Sequence, residues 1–179
     1  MFNTIVQLIG YAGVLGFVIS YLQKSRKSII AFSFAARVLF VTHYILLGGY
    51  SGAMQNAVGG IASAVSARRG KKPFDSAFTP VFIIVLTVVG GIFTFDRELG
   101  IISVLPVIAM VLQNSALWFK NQTLIRIVTL AGIPFWFIYN FTKGSAPAMT
   151  SDALSTLSLV AAIVKYDVAP FLSKKLKKT

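Results

Sequence analysis

Residues 34 to 60 read FAARVLFVTHYILLGGYSGAMQNAVGG, apolar almost throughout, yet they carry Arg37, the single histidine His43 and the adjacent amides Gln55 and Asn56. Tyr44 follows His43, and a comparable set recurs later as Tyr139 with Asn140 and Ser151 with Asp152. Amides, hydroxyls and aromatic rings held in apolar surroundings are suited to gripping a polar solute by hydrogen bonds and stacking. They are poorly suited to catalysis. No phosphate-binding glycine loop, Ser/His/Asp set or pair of close carboxylates occurs, so the chemistry expected is recognition without a reaction or cofactor. One histidine, no cysteine and one acid inside the apolar runs do not make a metal site.

Composition says what kind of surroundings these are. The 179 residues are 56% hydrophobic and 12% charged, where soluble domains carry about 25% charged residues. The net charge of +12 would suit nucleic acid only if the basic residues gathered on one face with stacking aromatics. Instead they punctuate apolar runs, so no nucleic-acid partner is expected. With no cysteine, neither a disulfide framework nor a catalytic thiol is available. The opening MFNTIVQLIGY lacks the basic start of a secretory signal and is expected to stay as a permanent span.

A membrane-crossing helix needs about 20 mostly apolar residues. Seven segments meet or approach that: roughly 4 to 22, 28 to 48, 52 to 67, 78 to 95, 99 to 119, 123 to 142 and 149 to 165. The third and seventh are short and rich in Gly, Ala and Ser, as suits helices packed inside a bundle. Short basic loops stay cytoplasmic. With seven spans, one side receives Lys24, Arg26, Lys27, Arg68, Arg69, Lys71, Lys72, Lys120, Arg126, Lys165 and the four tail lysines, whereas the other receives Arg97 and Lys143. The expectation is a periplasmic N-terminus and a cytoplasmic C-terminus, with the basic tail 168 to 179 lying on the membrane surface.

Sliding the chain by 96 residues lays Tyr44 on Asn140, Gly48 on Gly144, Asn56 on Asp152, Lys24 on Lys120 and Arg69 on Lys165. More telling is the shared plan of span, basic turn, aromatic span ending in Gly, nearly uncharged turn and small-residue span. The reading divides the chain into a three-helix bundle at 1–70, a basic loop and linker helix at 71–97, a second three-helix bundle at 98–167 and the tail at 168–179. A single linker makes the bundles parallel, a transporter plan with the substrate site at the repeat interface.

Within this frame, Arg37 lies nine residues past Ser28, about 13 Å along its helix, too deep for easy escape to water. It either caps backbone carbonyls or stacks on aromatics in the bundle, or serves as a site cation or half of a charge pair. Asp152 binds solute, a cation or Arg37, or is simply an acid favoured by a helix N-terminus. His43 and Tyr44 with Tyr139 and Asn140 either wall one polar cavity or make interhelical hydrogen bonds. Gln113, beside Asn114, is expected to reach the site from the cytoplasmic half. Pro106 and Pro134 fall near mid-span and predict kinks.

HYILLGGYSGAMQNA (43–57), LPVI (105–108), ALWF (116–119) and WFIYNFTKGS (136–145) resemble the bacterial inner membrane protein YgjV family over most of the chain. That family is related to the PQ-loop or MtN3-like group, which includes sugar transporters, vitamin-precursor transporters and an endoplasmic-reticulum retention receptor. The resemblance implies a 3+1+3 all-α fold, a bacterial inner membrane location and a small polar solute bound between the bundles. It points to His43, Gly48, Asn56, Trp136, Asn140 and Asp152. The Pro-Gln pair that names the wider group is absent, since Val107 follows Pro106.

The chain is thus expected to be a seven-span, all-α polytopic membrane protein in the lipid bilayer, not an enzyme, that moves a small polar metabolite. The site would comprise Asn56, Asn140 and Asp152 as hydrogen-bonding groups and His43, Tyr44, Tyr139 and Trp136 as walls, with Gln113 and Arg37 as further contacts. A homo-oligomer is compatible with this. The alternative is a non-transporting receptor or assembly factor on the same fold, acting through basic loop residues such as Arg68 and Arg69.

Overall fold

The apolar segments fold as helices. The computed structural model describes residues 2–169 apart from 24, 25, 69, 70, 73, 75, 77 and 117. Among the described residues there are seven α-helices and no strand: α1 (Phe2–Leu22), α2 (Arg26–Leu46), α3 (Tyr50–Ser66), α4 (Phe78–Phe93), α5 (Leu105–Ala116), α6 (Gln122–Thr142) and α7 (Ala146–Ile163). A 3-10 turn, Gly100–Val104, leads into α5, and a π turn, Val164–Val168, extends α7. Lys24, Arg69 and the tail from 170 to 179, to which the sequence reading assigned topology and surface roles, lie outside the described residues.

Three stretches are long and apolar enough to cross a membrane, Asn3–Ser20, Gln122–Thr142 and Ala146–Val168. Ala31–Leu46, Phe78–Phe93 and Gly100–Ala116 are apolar and shorter. The helices turn large apolar side chains outward. On α4, Val81, Phe82, Val85, Ile92 and Phe93 are exposed, while Ile83, Thr87, Gly90 and Gly91 are buried. A continuous apolar exterior over polar buried positions is the pattern lipid demands and water forbids. The fold is that of a helical membrane protein.

Six helices close a ring. α1 packs on α2 and α2 on α3; α5 packs on α6 and α6 on α7; α7 returns to α1 and α3 meets α5, with α4 outside against α3 and α5. Absent side chains permit these approaches. A Cβ at Gly13 would lie 2.9 Å from the Phe40 ring, one at Gly16 would lie 3.0 Å from the Ala36 Cβ, and one at Gly90 would lie 2.7 Å from Met54. Small residues at helix contacts take over in membranes from a hydrophobic drive that lipid removes.

At one end of the ring, α2 turns into α3 and α6 into α7 by the same device. Gly48 and Gly144 both have φ +65°, a left-handed conformation that glycine adopts without strain. Gly49 N–H donates to Tyr44 O at 2.7 Å and Gly48 N–H to Ile45 O at 3.0 Å. The bonds Ser145 N–H to Asn140 O and Gly144 N–H to Phe141 O repeat them at 2.9 and 3.1 Å. Lys143 Nζ ties the two turns together, donating to Gly48 O at 3.0 Å while meeting Asp96 Oδ2 at 3.4 Å. The Leu99 and Glu98 N–H groups also donate to Asp96, and chiefly through the former its carboxyl is held below the usual carboxylate range.

Proline behaves in two ways. Pro134 lies inside α6, as expected. Pro106 does not kink a helix running from 99 to 119. It is the second residue of α5, after the 3-10 turn, where a missing N–H removes no helical bond. Ser51 Oγ of α3 donates to Ser103 O at 2.7 Å, which pins that junction to the ring. The far end of the ring is tied by an ion pair that the sequence did not disclose: Arg126 donates to both Asp167 oxygens at 2.8 and 3.0 Å, with Thr123 Oγ1 adding a bond at 2.7 Å. Asp167 lies in the π turn, whose extra residue per turn sets it facing α6.

Candidate functional site

Helical spacing builds the site. Arg37, Phe40 and Tyr44 form one stripe on α2, Asn56 and Ser63 one on α3, Ile133, Trp136 and Asn140 one on α6, and Ala148, Asp152 and Ser155 one on α7. Inside the ring these stripes surround a cavity of about 360 Å³, which Phe17 of α1 and Met110, Gln113 and Asn114 of α5 also line. Seven of the nine expected residues, Arg37, Tyr44, Asn56, Gln113, Trp136, Asn140 and Asp152, stand in its wall. The signal for Ser63 and Ser155 was present in the chain, one or two turns beyond Asn56 and Asp152 on the same faces.

One wall is aromatic. Tyr44 and Trp136 stack with centroids 6.2 Å apart and planes 28° from parallel, and Phe40 and Phe17 continue the surface, their rings stacked 5.7 Å apart. A polar chain crosses the seam between α2 and α6. Tyr44 OH donates to Asn140 Oδ1 at 2.6 Å, and Asn140 Nδ2 donates to Asp152 Oδ2 at 2.7 Å. Asn140 thus spends both ends of its amide on the seam. Asn56, which also lines the cavity, donates through Nδ2 to Gly52 O of its own helix at 3.0 Å.

Arg37 is held from two sides. Its guanidinium carbon lies 5.7 Å from the centre of the Phe17 ring, and the bare backbone of Gly59 gives it room, since a Cβ there would meet Nη1 and Cζ. The aromatic stacking left open by the sequence is present, and the same side chain lines the cavity.

His43 and Tyr139 do not line it. Each sits one residue before a cavity residue, and a helix turns about 100° per residue, so both point away from the cavity into helix contacts. His43, fully buried, lies 2.8 Å from Val6 O through Nδ1 and 2.7 Å from Ser145 Oγ through Nε2. The Tyr139 hydroxyl, also fully buried, accepts the Gly52 N–H at 3.0 Å.

The second bond replaces a missing cap. Ser145 caps α7 by accepting from Ala148 N–H, whereas Gly49, at the same place before α3, has no side chain to do so. The Tyr139 hydroxyl takes the N–H that a serine at 49 would have taken, and it stands 2.9 Å from where a Cβ at Gly49 would be. Losing a cap costs about 0.5–2 kcal/mol. Tyr139→Phe should therefore destabilise the protein by about 1 kcal/mol in equilibrium unfolding; a neutral result would show that Gly52 N–H needs no partner there.

Polar packing also fills the α3–α4–α5 contact. Gln55 Nε2 donates to Thr87 O at 3.1 Å and Asn114 Nδ2 to Thr87 Oγ1 at 3.0 Å. Gln55, conspicuous in the sequence beside Asn56, is spent on holding α4 to the ring.

A bundle of apolar-coated helices around a mixed aromatic and polar cavity defines the class: a helical membrane protein with an internal chamber. The chain belongs to the Imp-YgjV family of bacterial inner membrane proteins, whose model matches residues 4–169. No curated protein and no solved structure matches it.

Proposed function

We propose that the protein is a non-enzymatic carrier for a small polar solute in the bacterial inner membrane, with the solute bound in the chamber between α1–α3 and α5–α7. In this reading all seven helices span, α1–α3 and α5–α7 are parallel three-helix bundles joined by α4, and the kinship to the PQ-loop group is real. The N-terminus is periplasmic and the C-terminus cytoplasmic.

The observation that carries it is the cavity itself. A bundle whose purpose was structural would fill its centre with apolar side chains, because unpaired polar groups in a dry interior are costly. Here Asn56, Gln113 and Asp152 all reach the wall. Above Tyr44 and Asn140 the fully buried His43, Tyr139 and Ser145 close the glycine-turn end. The conformation is then the one closed toward the periplasm, with rocking of the two bundles exchanging it for its counterpart.

A ligand that binds only the folded state raises the melting temperature by mass action. Purified protein in nanodiscs is expected to gain several degrees on saturation with one member of a metabolite panel. Asn56→Ala and Asp152→Asn should each weaken the gain sharply at a given ligand concentration and leave the ligand-free melting temperature within a few degrees of the parent. If no compound of any class shifts the transition, and both variants alter stability alone, the carrier reading is wrong.

A further inference from the structure

The chamber wall holds one basic and one acidic side chain, from opposite halves of the chain. Arg37 of α2 and Asp152 of α7 are the charged side chains among the described residues of its wall, and the rest are amides, hydroxyls and apolar or aromatic groups. They differ in depth as well as side. Asp152 is tied through Asn140 to Tyr44 at the closed end, whereas Arg37 leaves α2 seven residues earlier, about 10 Å along the axis. The guanidinium is steadied by the Phe17 ring and the bare Gly59 backbone, and the carboxylate by the Asn140 amide.

Charges placed at opposite ends of a low-dielectric chamber favour an occupant that carries the complementary pair in the reverse order. A monoanion answers Arg37 and repels Asp152; a monocation does the opposite; a neutral polyol brings no counter-charge to either. The chamber also has an aromatic face beside its acid, the Tyr44–Trp136 stack, and such faces attract ammonium groups. A volume of about 360 Å³ suits a solute of metabolite size rather than a macromolecular segment.

Resting on the carrier reading above, we propose that the solute is a small zwitterion, its carboxylate set on Arg37 and its ammonium held between Asp152 and the Tyr44–Trp136 stack. Asn56 and Gln113 then provide hydrogen bonds along the body of the molecule. Arg37 is a solute-binding residue, which accounts for a cation so deep in an apolar helix.

The test uses the whole protein in nanodiscs and reads the concentration at half-maximal thermal shift. L-phenylalanine, L-serine and 4-aminobutyrate are each compared with their amine-only and acid-only counterparts, and D-glucose and uridine serve as neutral solutes. At least one zwitterion should half-saturate about ten- to a hundredfold lower than either counterpart, the effect of losing a hydrogen bond to a charged group. Arg37→Gln should erase the advantage over the amine, and Asp152→Asn the advantage over the acid. Because the main comparison uses the parent protein, a variant that does not fold leaves it decisive.

Equal binding by a single-charge counterpart, or strongest binding by glucose or uridine, would overturn the zwitterion and leave the carrier reading standing. If no compound shifts the transition, both fall.

Discussion

Replacing Asn140 by leucine should lower the unfolding free energy by about 2–4 kcal/mol, the largest loss expected from any single change in the chamber wall. Leucine keeps the branched shape but is the larger side chain, so part of the loss is overpacking at a buried site and the rest is polar. Tyr44, only 2% exposed, forfeits the acceptor at 2.6 Å, and Asp152 forfeits its donor at 2.7 Å. A buried group left unsatisfied costs about 1–3 kcal/mol, and more when charged. Hydrogen bonds between membrane helices average only about 0.6 kcal/mol in double-mutant cycles, because the unfolded chain in the membrane also finds partners. Two groups orphaned by one substitution should nevertheless exceed that average.

Tyr44→Phe separates the contributions. It removes the hydroxyl and its need together, so alone it should cost about 1 kcal/mol, and in the Asn140→Leu background it should cost less, since the hydroxyl there is already unsatisfied. Detergent-driven unfolding of all four proteins gives the coupling. Additive losses would mean that Tyr44 and Asn140 do not act as a unit, and that the seam between α2 and α6 is held by apolar packing alone.

The correspondence at 96 residues explains how much was legible. Hydropathy placed six of the seven helical segments to within a few residues, because each needs a long apolar run whatever its neighbours are; the fifth, α5, begins six residues later than expected. The offset placed Gly48 with Gly144, and both turns have the same φ and the same two backbone bonds. It also aligned Tyr44 with Asn140, which the fold joins by a direct hydrogen bond. What periodicity could not supply was the rotation of each helix about its axis. His43 and Tyr44 look equivalent as neighbours in sequence, yet one faces Val6 and Ser145 while the other faces the chamber.

The exchange of caps was hidden for a related reason. Nothing near Gly49 in sequence announces that its helix is capped by Tyr139, since the partner comes from the other half of the chain. Pro106 was misplaced because an apolar run does not disclose where a 3-10 turn gives way to an α-helix. Asp167 was overlooked because its partner, Arg126, reads from sequence as one more cytoplasmic positive charge.

Gly10→Ala should be nearly as damaging as Asn140→Leu, by about 2–4 kcal/mol, although it adds one methyl group. A Cβ at Gly10 would run into Cγ of the Pro147 ring, and would lie 2.9 Å from His43 Nδ1 and 3.0 Å from Cε1. Neither obstacle yields easily. The proline ring is rigid and sits in the first turn of α7, and the imidazole is fixed by Val6 O on one side and Ser145 Oγ on the other. Overpacking of a filled site costs about 1–3 kcal/mol, and strain on two buried hydrogen bonds adds to it.

Other glycines set the scale. At Gly59 the obstruction is the far end of the Arg37 side chain and the Met110 methyl, which can swing aside, so Gly59→Ala should spare stability and disturb the guanidinium's place in the wall. Gly48→Ala meets nothing within 4 Å, and its cost is confined to the left-handed backbone, about 1–2 kcal/mol. Gly10 is different because the contact of α1 with α7 is one of the two that close the ring. Trimming the obstacle tests this: Gly10→Ala with Pro147→Ala should recover at least half of the loss in detergent-driven unfolding. If the double variant is no more stable than Gly10→Ala alone, the ring is not closed by this contact, and the bond from His43 to Val6 must hold α1 in place instead.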